Sequence, residues 1–528
     1  TLQNLKKGLS FMKITQLNST LREVVQTNSS LSSYLRNLSK GRPCTPRSWL
    51  YENVASTKDV LDQWIPIMEK ANLISPIGNL FNQFDLKQKE KFGPQGCVPP
   101  VHSKEAMEVI EPLYENSVYD SPLSLEKFFN RTQEFAKVLF GPRLRTKRPL
   151  SFQAVVDDMR ERDTLTTNSG FPRFRKRNVV KQQEISDAES GKAWNYPAII
   201  LFRQYNGKLR PVWMYPMSLN LLGMRYQQLI QAELRKSPTQ WVRDYLSPWE
   251  GYEPVKQTLT KQWPHDAPVI GGDTTKMDAH MRKGQIRLVF EIVKWLFQEN
   301  YWDELWKSME KVNTIDLLIG PDEIIQGDHG LASGAEWTQI TETVLQMFMA
   351  WLKGLTGQGI GDDFYWLSSM SADDLVAYLA EFGLPANAEK QSVSNNSLTF
   401  LQRLNHQGFF SREQPDTLGS YYPTIRALNS SLNPEKFHKP KDWNSNMFCV
   451  RQYMILENCV DNPCFDEFLK FVVNGQKDLI PFAKKTDDEL AQIQQQSRLI
   501  PGLNPSYNQE KRDKPLSTFV SIQLARQM

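Results

Sequence analysis

The feature that most constrains this chain is a series of three short polar motifs, which follow one another in a fixed order. The first is DTTKMD at Asp273–Asp278, which comes shortly after the apolar residues Val269 and Ile270. The second is SGAEWT at Ser333–Thr338, and the third is GDDF at Gly361–Phe364. Each motif is weak alone, so the information lies in the order and spacing of all three.

Two of the motifs offer carboxylates from separate structural elements. An aspartate after an apolar stretch, with a second one five residues later, can follow a strand that turns into a helix. Adjacent aspartates such as Asp362 and Asp363, at a turn relieved by glycine, project carboxylates from a tight hairpin. Two Mg²⁺ ions, about 3.5–4 Å apart, need such oxygen ligands for in-line phosphoryl transfer. Alternatives stay open: an Asp-Asp turn is most often only a turn, and Gly357-x-Gly359-x-Gly361 could be a phosphate loop, although no Lys-Ser/Thr follows it.

Charge is distributed unevenly along the chain. The whole protein carries 63 Lys and Arg against 59 Asp and Glu, a net charge of +4. Between Gly141 and Tyr215, fifteen Lys and Arg face seven Asp and Glu, so this segment carries +8 and the remainder −4. Concentrated positive charge in one segment indicates a polyanionic partner such as nucleic acid. A solvated basic face, or a nuclear-import tract at Arg143–Arg148 or Arg173–Arg177, is the alternative.

Composition excludes several other classes of protein. The 528 residues are 40% hydrophobic and 23% charged, as in ordinary globular proteins and unlike disordered or fibrous chains. The longest apolar run, around Val344–Leu352, is far shorter than the roughly 20 residues that span a bilayer, and the first twenty residues lack the apolar core of a secretory signal. Five cysteines, with Cys44 and Cys97 isolated in the sequence, predict no disulfide framework and a reducing, intracellular compartment.

Local patterns predict a mixed fold. Apolar residues at helical spacing predict helices over 286–297, 337–352, 372–382, 466–473 and 487–495, the last of them before a polar, extended tail. Strands are predicted over 198–202 and 209–215, on either side of a turn at Asn206-Gly207. Short helices joined by Pro-bearing irregular chain indicate that the first hundred residues form an arm wrapped over a larger body. Because helices and strands mix without βαβ regularity, the predicted fold class is α+β.

Further segments have the composition of phosphate-binding loops. The loop Thr167–Pro172 is punctuated by glycine and proline and lies beside the basic run Arg173–Arg177. The segment Arg203–Arg210 presents three cations around the predicted hairpin, which suits a triphosphate tail. The Ser-Gly pair of Ser333–Thr338, at the start of a predicted helix, allows close approach of a ribose-phosphate chain. Any one of these segments could be a surface loop, but their order is harder to explain that way.

In order and spacing, these segments resemble the motif series of viral RNA-dependent RNA polymerases. The resemblance runs from about Thr167 to Phe410 and follows the motifs that this family letters G, F, A, B, C, D and E. The combination of DxxxxD, SGxxxT and GDD in this order is highly specific. The forms DTTKMD, SGAEWTQ and GIGDDF, with the chain length and the basic N-terminal half, are most similar to polymerases of small double-stranded RNA viruses, above all picobirnaviruses.

The resemblance implies an α+β right-hand polymerase fold, in which fingers, palm and thumb are closed into a ring by N-terminal elements. Phe400–Arg403 would be the primer-grip turn that leads into the thumb. The implied division of the chain is an N-terminal extension bridging fingers and thumb at 1–110, fingers with the template and nucleotide entry loops at 111–260, palm at 261–284, a fingers insertion at 285–330, palm again at 331–412, and thumb with the C-terminal tail at 413–528.

The resemblance also assigns roles to individual residues. Asp273 and Asp362 would be the principal metal ligands, with Asp363 an auxiliary ligand. Lys390 would be the general acid that protonates the departing pyrophosphate, with a solvent-exposed lysine as the alternative. Asp278 would read the ribose 2′-OH, which only a ribonucleotide offers. The other implied nucleotide-binding residues are Arg203, Lys208, Arg210, Ser333, Gly334 and Thr338, and the implied RNA-binding residues are Ser169, Gly170, Arg173, Arg175, Lys176 and Arg177.

The implied activity is RNA-directed synthesis of RNA by two-metal nucleotidyl transfer, with two Mg²⁺ or Mn²⁺ ions as cofactors. The implied partners are a single-stranded RNA template, the nascent RNA and nucleoside triphosphates. The viral capsid protein is a further candidate partner, and the sequence offers no membrane segment. Such an enzyme would replicate and transcribe a viral, double-stranded RNA genome in the virion interior and the host cytoplasm.

The chain departs at one position from the pattern of picornavirus-like polymerases. There, SGxxxTxxxN places an asparagine four residues after the threonine, whereas this chain has Glu342. A glutamate cannot donate the same hydrogen bond unless it is protonated. The sequence therefore leaves the sugar-reading network open beyond Asp278 and Thr338, with Thr341 and Thr343 as candidate substitutes.

Three other interpretations are less favoured. A reverse transcriptase would usually carry an aromatic residue near Asp278 and another before its Asp-Asp pair, where this chain has Gly361. A non-catalytic RNA-binding or packaging protein of a virus is the alternative function, but it would have no reason to bring the acidic motifs together. A zinc site lacks the usual CxxC spacing, although four candidate ligands exist, namely His438, Cys449, Cys459 and Cys464.

Overall fold

The structure is a computed structural model that describes residues 12–500, residue 503 and residues 513–528. Its strands are β1 (Lys13–Gln16), β2 (Ala198–Tyr205), β3 (Lys208–Met214), β4 (Val269–Asp273), β5 (Leu317–Leu318), β6 (Glu323–Gln326), β7 (Thr356–Ile360), β8 (Asp363–Leu367), β9 (Ser392–Ser394), β10 (Ser397–Phe400) and β11 (Arg403–His406).

The α-helices of the N-terminal half are α1 (Ser19–Thr27), α2 (Ser29–Asn37), α3 (Thr57–Asn72), α4 (Gly78–Leu86), α5 (Lys104–Ile110), α6 (Thr132–Phe140), α7 (Phe152–Glu161), α8 (Arg177–Ser190), α9 (Met217–Arg235), α10 (Gln240–Tyr245) and α11 (Tyr252–Gln262). Those that follow are α12 (Met277–His280), α13 (Lys283–Val293), α14 (Trp302–Glu310), α15 (Thr338–Leu352), α16 (Ala372–Glu381), α17 (Thr424–Leu432), α18 (Ser445–Leu456), α19 (Phe465–Val473), α20 (Leu479–Ala483), α21 (Asp487–Arg498) and α22 (Val520–Ala525). Short 3-10 turns connect many of them.

A four-stranded antiparallel sheet, in the order β7-β8-β4-β9, carries both acidic motifs. Val269 and Ile270 are buried, which holds β4 in the interior of the protein. Strands β7 and β8 form a hairpin whose two-residue turn is Gly361-Asp362. Gly361 has a φ of 57°, a left-handed conformation that glycine adopts without steric cost. The left-handed conformation of Gly361 therefore allows the tight turn that carries Asp362.

A five-stranded sheet, in the order β1-β6-β5-β2-β3, carries the basic hairpin. Strands β2 and β3 are antiparallel and meet at Asn206-Gly207, whose φ values of 51° and 72° suit the Asn-Gly pair predicted for this turn. At the far edge of the sheet, β1 pairs with β6, so the N-terminal segment contributes a strand to a sheet formed mainly by later residues.

The hydrophobic core of the described residues comprises one large cluster between Val101 and Leu384, a second large cluster that unites N-terminal helices with the C-terminal region, and two smaller clusters. In the second cluster, Trp64 is fully buried and its indole N–H donates to Thr424 Oγ1 over 2.8 Å. The buried carboxylate of Asp85 accepts the backbone N–H groups of Thr424 and Ile425, which begin α17. In the N-terminal segment, β1, α1 and α2 thus lie against the five-stranded sheet, whereas α3 and α4 pack on the C-terminal core. The boundaries of fingers, palm and thumb stay predictions.

Most of the predicted elements are present, with shifted ends. Helices α15 and α16 match the predictions for 337–352 and 372–382, whereas the predicted helix 286–297 begins earlier, at Lys283, and its last turn is a 3-10 turn. The prediction of an extended C-terminal tail is wrong for 513–528, where a 3-10 turn and α22 fold onto the second core. Leu516, Phe519 and Ile522 recur at helical spacing and are buried there. Residues 501–502 and 504–512 of that tail lie outside the described residues.

The cysteines also depart from expectation. Cys44 and Cys97, predicted to stand alone, form a disulfide across 53 residues of sequence. An antiparallel bridge between Arg42 and Val98 brings the two segments together, which no local sequence signal indicated. The three remaining cysteines are buried in the second core and do not form the zinc site considered above: His438 stacks on Trp443 instead, with ring centroids 4.7 Å apart. No helix of the described part of the chain has the length and apolarity needed to cross a bilayer.

Candidate active site

A cavity of about 860 Å³ opens above the acidic turn. Asp362 and Asp363 line one wall, and Arg177, Arg403 and Arg426 line others. Two adjacent carboxylates thus lie at the acidic turn, and the remaining walls mix guanidinium groups with the acidic residues Asp158, Glu250 and Glu336. Such a mixture suits a polyanion that must approach bound cations.

The register of β4 and β8 brings the two acidic motifs together. Asp273, the last residue of β4, lies opposite Asp363, the first residue of β8, so Asp362 in the adjoining turn comes close to Asp273. Helix α15 supports this turn from below: the backbone N–H of Gly361 donates to Thr343 Oγ1 over 2.9 Å, and Gln346 Nε2 donates to the Gly361 carbonyl over 2.6 Å. The turn is therefore anchored at both its donor and its acceptor groups.

A glutamine side chain extends the hydrogen bonding of β4 at its last residue. Gln391 Oε1 accepts the backbone N–H of Asp273 over 2.9 Å, and Gln391 Nε2 donates to the Asp273 carbonyl over 2.7 Å and to the Asn387 carbonyl over 3.0 Å. The β4–β9 ladder ends at the pair Gly271 and Ser392, so the side-chain amide replaces the next backbone pair. Asp273 is thereby tied to the segment that carries Lys390, whose own side chain is exposed at the end of a 3-10 turn.

The carboxylates of the cleft perturb one another. Withdrawal from solvent, followed by repulsion from Asp278 and Asp273, raises the pKa of Asp362, and the attraction of Arg210 opposes this shift. Burial raises the pKa of Glu342 well above its ordinary value, and repulsion from Asp278 adds to the effect. Burial raises the pKa of Asp278 as well, while its hydrogen bond to Glu342 and the attraction of Arg210 lower it.

The interaction between Asp278 and Glu342 bears on the question that the sequence left open. Two carboxyl groups can share a hydrogen bond only when one of them carries a proton. Glu342 is only 4% exposed, and burial together with repulsion from Asp278 raises its pKa well above the ordinary value, which favours its protonated form. A protonated Glu342 could donate to Asp278, as the asparagine of picornavirus-like polymerases can donate at this position.

The second aspartate of the GDD motif, Asp363, accepts a hydrogen bond from another hairpin. Asp363 Oδ2 accepts the backbone N–H of Leu401 over 2.9 Å, and burial raises the pKa of Asp363 to about 7. Among residues 12–500, 503 and 513–528, no group of three or more His, Cys, Asp or Glu is already arranged to hold a metal ion. The structure thus brings Asp273 and the Asp362 turn to one place, whereas the role of Asp363 as an auxiliary ligand stays a prediction.

The basic hairpin β2–β3 holds its two arginines side by side. Arg203 and Arg210 are directly opposite each other, and their guanidinium groups lie 4.6 and 4.2 Å from the ring centre of Tyr205. Arg203 also forms a bidentate ion pair with Glu435, with both N–O distances at 2.9 Å. Arg210 instead exerts its field on Asp278 and Asp362, and Lys208 is exposed at the turn.

The predicted template loop contains two kinds of residue. Arg175 and Lys176 are exposed, whereas Arg173 pairs with Asp187 over 2.8 Å and with Glu184 over 3.3 Å. Arg177 lines the cleft, where the field of Glu184 acts on it. The remaining two predicted contacts, Ser169 and Gly170, are buried, and the Ser169 hydroxyl accepts the N–H of Arg175 over 3.2 Å within the loop itself.

The segment that begins α15 is bound to the basic hairpin. The Ser333 carbonyl accepts the N–H of Trp213 over 2.7 Å, and Gly334, at a φ of 103°, passes so close to the Trp213 carbonyl that a Cβ would collide with it. Thr338 Oγ1 donates to the Ala332 carbonyl over 3.2 Å. Thr341 and Thr343, the candidate sugar contacts, are fully buried, and their hydroxyls donate to backbone carbonyls of α15 or its start.

Sequence reasoning missed the residues that hold the site in place. Gln346, Gln391 and Glu435 make the hydrogen bonds described above, but their partners are 15, 118 and 232 residues away in the sequence. Only Gln346 carried a usable signal, because it is a polar residue on the buried, apolar face of a predicted helix.

Comparisons with known proteins agree with this geometry. No protein-family model matches the chain. The chain is 26% identical, over 483 residues that cover 85% of it and 86% of the relative, to the potential RNA-dependent RNA polymerase of a human picobirnavirus, strain Human/Thailand/Hy005102. The crystal structure of the RNA-dependent RNA polymerase of a human picobirnavirus superposes with a TM-score of 0.79 at 22% identity, over 97% of this chain and 99% of that one. An insertion-loop deletion mutant of such a polymerase superposes with a TM-score of 0.76 at 21% identity and the same coverage.

The chain thus has the right-hand, α+β fold of these solved polymerases, and its motifs follow the order typical of viral RNA-dependent RNA polymerases. The sequence relative and the solved structures described above are a potential polymerase and two polymerase structures of human picobirnaviruses. The predicted fold class and the predicted resemblance to picobirnavirus polymerases are both confirmed.

Proposed function

We propose that this RNA-dependent RNA polymerase joins nucleotides by two-metal transfer at Asp273 and Asp362. The observation that carries the proposal is the register of β4 and β8, which sets Asp273 beside the Gly361-Asp362 turn within a polymerase fold. Motif order and the similarity to a picobirnavirus polymerase support the same activity. A protein that only packages RNA would have no use for carboxylates concentrated at one point of a cleft.

Asp273 and Asp362 fit a site for divalent cations. Their carboxylates are hard oxygen donors, and the repulsion that raises the pKa of Asp362 is of the kind that a bound cation relieves. Two Mg²⁺ or Mn²⁺ ions held there would neutralise charge on the attacking and leaving oxygens of the transferred phosphoryl group. Lys390, exposed on the segment that Gln391 ties to Asp273, would protonate the departing pyrophosphate.

Arg210 and Lys208 are the residues that would hold the triphosphate. The positive charge of Arg210 lowers the pKa values of Asp278 and Asp362, so Arg210 is near enough to the reacting centre to attract a triphosphate there. Arg203 contributes differently, because its ion pair with Glu435 fixes the hairpin against the C-terminal region before a nucleotide arrives. A role of Arg203 in nucleotide binding would require that ion pair to open.

Asp278 is the residue that would select the sugar. Protonated Glu342 donates to one side of its carboxylate, and the other side remains as an acceptor for the ribose 2′-OH. Ser333, Gly334 and Thr338 would line the sugar and template side of the same space. A deoxynucleotide would leave the partly buried acceptor of Asp278 without a donor, which is the physical basis of discrimination.

The wider biological role follows the similarity to picobirnavirus polymerases. The template would approach along the exposed side chains of Arg175 and Lys176, with nascent RNA leaving through the same cleft. Replication and transcription of a double-stranded RNA genome, a contact with the capsid protein, and a location in the virion interior and host cytoplasm belong to this proposal. Their support is the similarity to a picobirnavirus polymerase.

The test is incorporation of nucleotides by the purified chain on a single-stranded RNA template. We expect labelled product with Mg²⁺ or Mn²⁺, no product with EDTA, and recovery when excess metal is restored. RNA binding without metal-dependent synthesis in any of these conditions would favour the packaging alternative instead.

A further inference from the structure

The turn between β10 and β11 has an unfavourable backbone conformation. Phe400 and Arg403 are directly paired, so the turn consists of Leu401 and Gln402 alone. Both residues have positive φ values, of 52° and 66°. Two-residue turns of this kind favour Asn and Gly, because side chains with a Cβ and no local hydrogen bond are strained in the left-handed region. An external contact is therefore needed to hold the turn in this form.

The residues on either side of the turn are well anchored. Arg403 is buried, its guanidinium lies 3.6 Å from the ring centre of Tyr252, and it donates to the Asn458 carbonyl over 3.2 Å. Phe400 packs edge-on against Tyr365 of β8 at 5.1 Å. Strands β10 and β11 are thus fixed to the four-stranded sheet and to the C-terminal core. The turn between them borders the cleft beside the acidic turn.

The contact that holds the turn comes from the GDD motif. Asp363 Oδ2 accepts the backbone N–H of Leu401, the first strained residue, over 2.9 Å. The backbone of Asp363 is itself fixed by its pairing with Asp273 and by Gln346, whose Nε2 lies 3.2 Å from its carbonyl oxygen. One side chain thus connects the catalytic turn to the turn that the sequence predicts to be the primer grip.

We propose that Asp363 is a positioning residue, whose carboxylate fixes the Leu401-Gln402 turn and thereby sets where the 3′ end of the growing RNA lies relative to Asp362. The inference rests on the proposed function. It explains why the second aspartate of the motif accepts a hydrogen bond from the neighbouring hairpin. It also explains how a turn of Leu and Gln keeps a conformation that neither residue favours.

Two substitutions separate positioning from metal binding. In Asp363→Asn, the side-chain oxygen can still accept the Leu401 N–H, but the negative charge is gone. In Asp363→Ala, both are lost. We expect Asp363→Ala to raise the KM for a primed template about tenfold, as for loss of one charged hydrogen bond. The KM of Asp363→Asn for a primed template should stay within about threefold of the KM of the unaltered chain, and its Mg²⁺ requirement should be unchanged.

A rescue experiment provides a readout that a purely structural defect would not give. Replacing Gln402 or Leu401 by glycine lowers the cost of the left-handed turn. In the Asp363→Ala background, Gln402→Gly should therefore recover part of the affinity for primed template, measured by fluorescence anisotropy without nucleotides. The same Gln402→Gly change in the unaltered chain should bring no gain. Thermal melting of every variant checks that it is folded.

The outcomes divide cleanly. If Asp363→Asn loses as much synthesis as Asp363→Ala and needs more Mg²⁺, Asp363 is a metal ligand and the proposal is wrong. If Asp363→Ala binds primed template normally, or if glycine in the turn rescues nothing, the proposal is also wrong. If Asp363→Ala does not fold, Asp363→Asn and Leu401→Gly alone still decide between the two roles. If the unaltered chain makes no RNA, the proposed function fails, whereas the anisotropy measurement still tests the turn.

Discussion

Strands β4 and β8, which belong to the predicted palm, and the basic hairpin β2–β3 arrange their charges in different ways. The palm strands gather carboxylates, so that burial and then repulsion from Asp278 and Asp273 raise the pKa of Asp362. The hairpin places Arg203 and Arg210 opposite each other but supplies the ring of Tyr205 to both and Glu435 to one. One hairpin arginine thus has a carboxylate partner, whereas the nearest charged neighbours of Asp362 include two further carboxylates.

The difference indicates which region depends on a ligand for its stability. Like charges in a cleft of low dielectric destabilise each other unless a counter-ion binds or a proton is taken up. Burial and repulsion from Asp278 raise the pKa of Glu342, which favours its protonated form, and Asp273 and Asp362 are left as the pair suited to cations. In the hairpin, the charge of Arg210 acts on Asp278 and Asp362 whereas Arg203 is paired with Glu435, so we expect the two arginines to have different tasks.

The largest expected effect lies in the palm. Asp273→Ala or Asp362→Ala should lower nucleotide incorporation about 10³-fold or more, because each removes several kcal/mol of charge stabilisation from the reacting centre. Affinity for template RNA should be nearly unchanged, since the exposed arginines lie elsewhere. Asp373→Ala, at an exposed aspartate in the first turn of α16, is the matched control. Near-normal incorporation by either palm variant would defeat the metal assignment.

Next in size is the choice of sugar. Asp278→Ala should lose about 2–3 kcal/mol of discrimination between ribo- and deoxyribonucleotides, because the acceptor for the 2′-OH is removed. Glu342→Gln should keep most of the discrimination, since a glutamine amide donates to Asp278 as protonated Glu342 does. Competitive incorporation of NTP and dNTP gives the ratio of kcat/KM. Equal ratios in Asp278→Ala and the unaltered chain would remove Asp278 from this role.

The glutamine that completes β4 should have a smaller effect. Gln391→Ala removes hydrogen bonds to both backbone groups of Asp273, so kcat should fall about tenfold while nucleotide KM changes little. Gln494→Ala is the matched control, because Gln494 is equally buried and also bridges backbone groups, but in the C-terminal core. Both variants should lower the melting temperature. If both also lower kcat alike, Gln391 acts through overall stability and not on Asp273.

The smallest expected effects separate the two groups of cations. Arg210→Gln should raise the nucleotide KM or lower kcat about tenfold, because the bidentate guanidinium that faces Asp278 is lost. Arg175→Gln should instead weaken template binding and lower the slope of log K against log salt by about 0.7, the value for one lost phosphate contact on a single strand. Template Kd against salt, beside nucleotide KM, distinguishes them. If both variants lose only template affinity, the hairpin belongs to the RNA channel.

The sequence predicted the reacting groups of the site better than it predicted the distant contacts that hold the protein and the site in place. The acidic motifs, the Asn-Gly hairpin and helix α15 were all recognised, because each depends on residue types within a short window. The disulfide between Cys44 and Cys97 and the folded C-terminal end were missed, since both depend on segments that meet only in the tertiary structure. The predicted RNA contacts at Ser169 and Gly170 likewise gave no sign that both residues would be buried in their own loop.

The sequence by itself determined which reacting groups the protein has. Aspartates at a glycine-relieved turn, a Ser-Gly segment before a helix and a basic hairpin specify that chemistry through residue type and order alone. Only the tertiary structure decided what each group does. It raised the pKa of Glu342 through burial, paired Arg203 with Glu435 and joined Asp363 to the backbone of Leu401. These outcomes depend on burial and on partners tens to hundreds of residues away, because a charged side chain takes its pKa and its orientation from the groups that surround it in space.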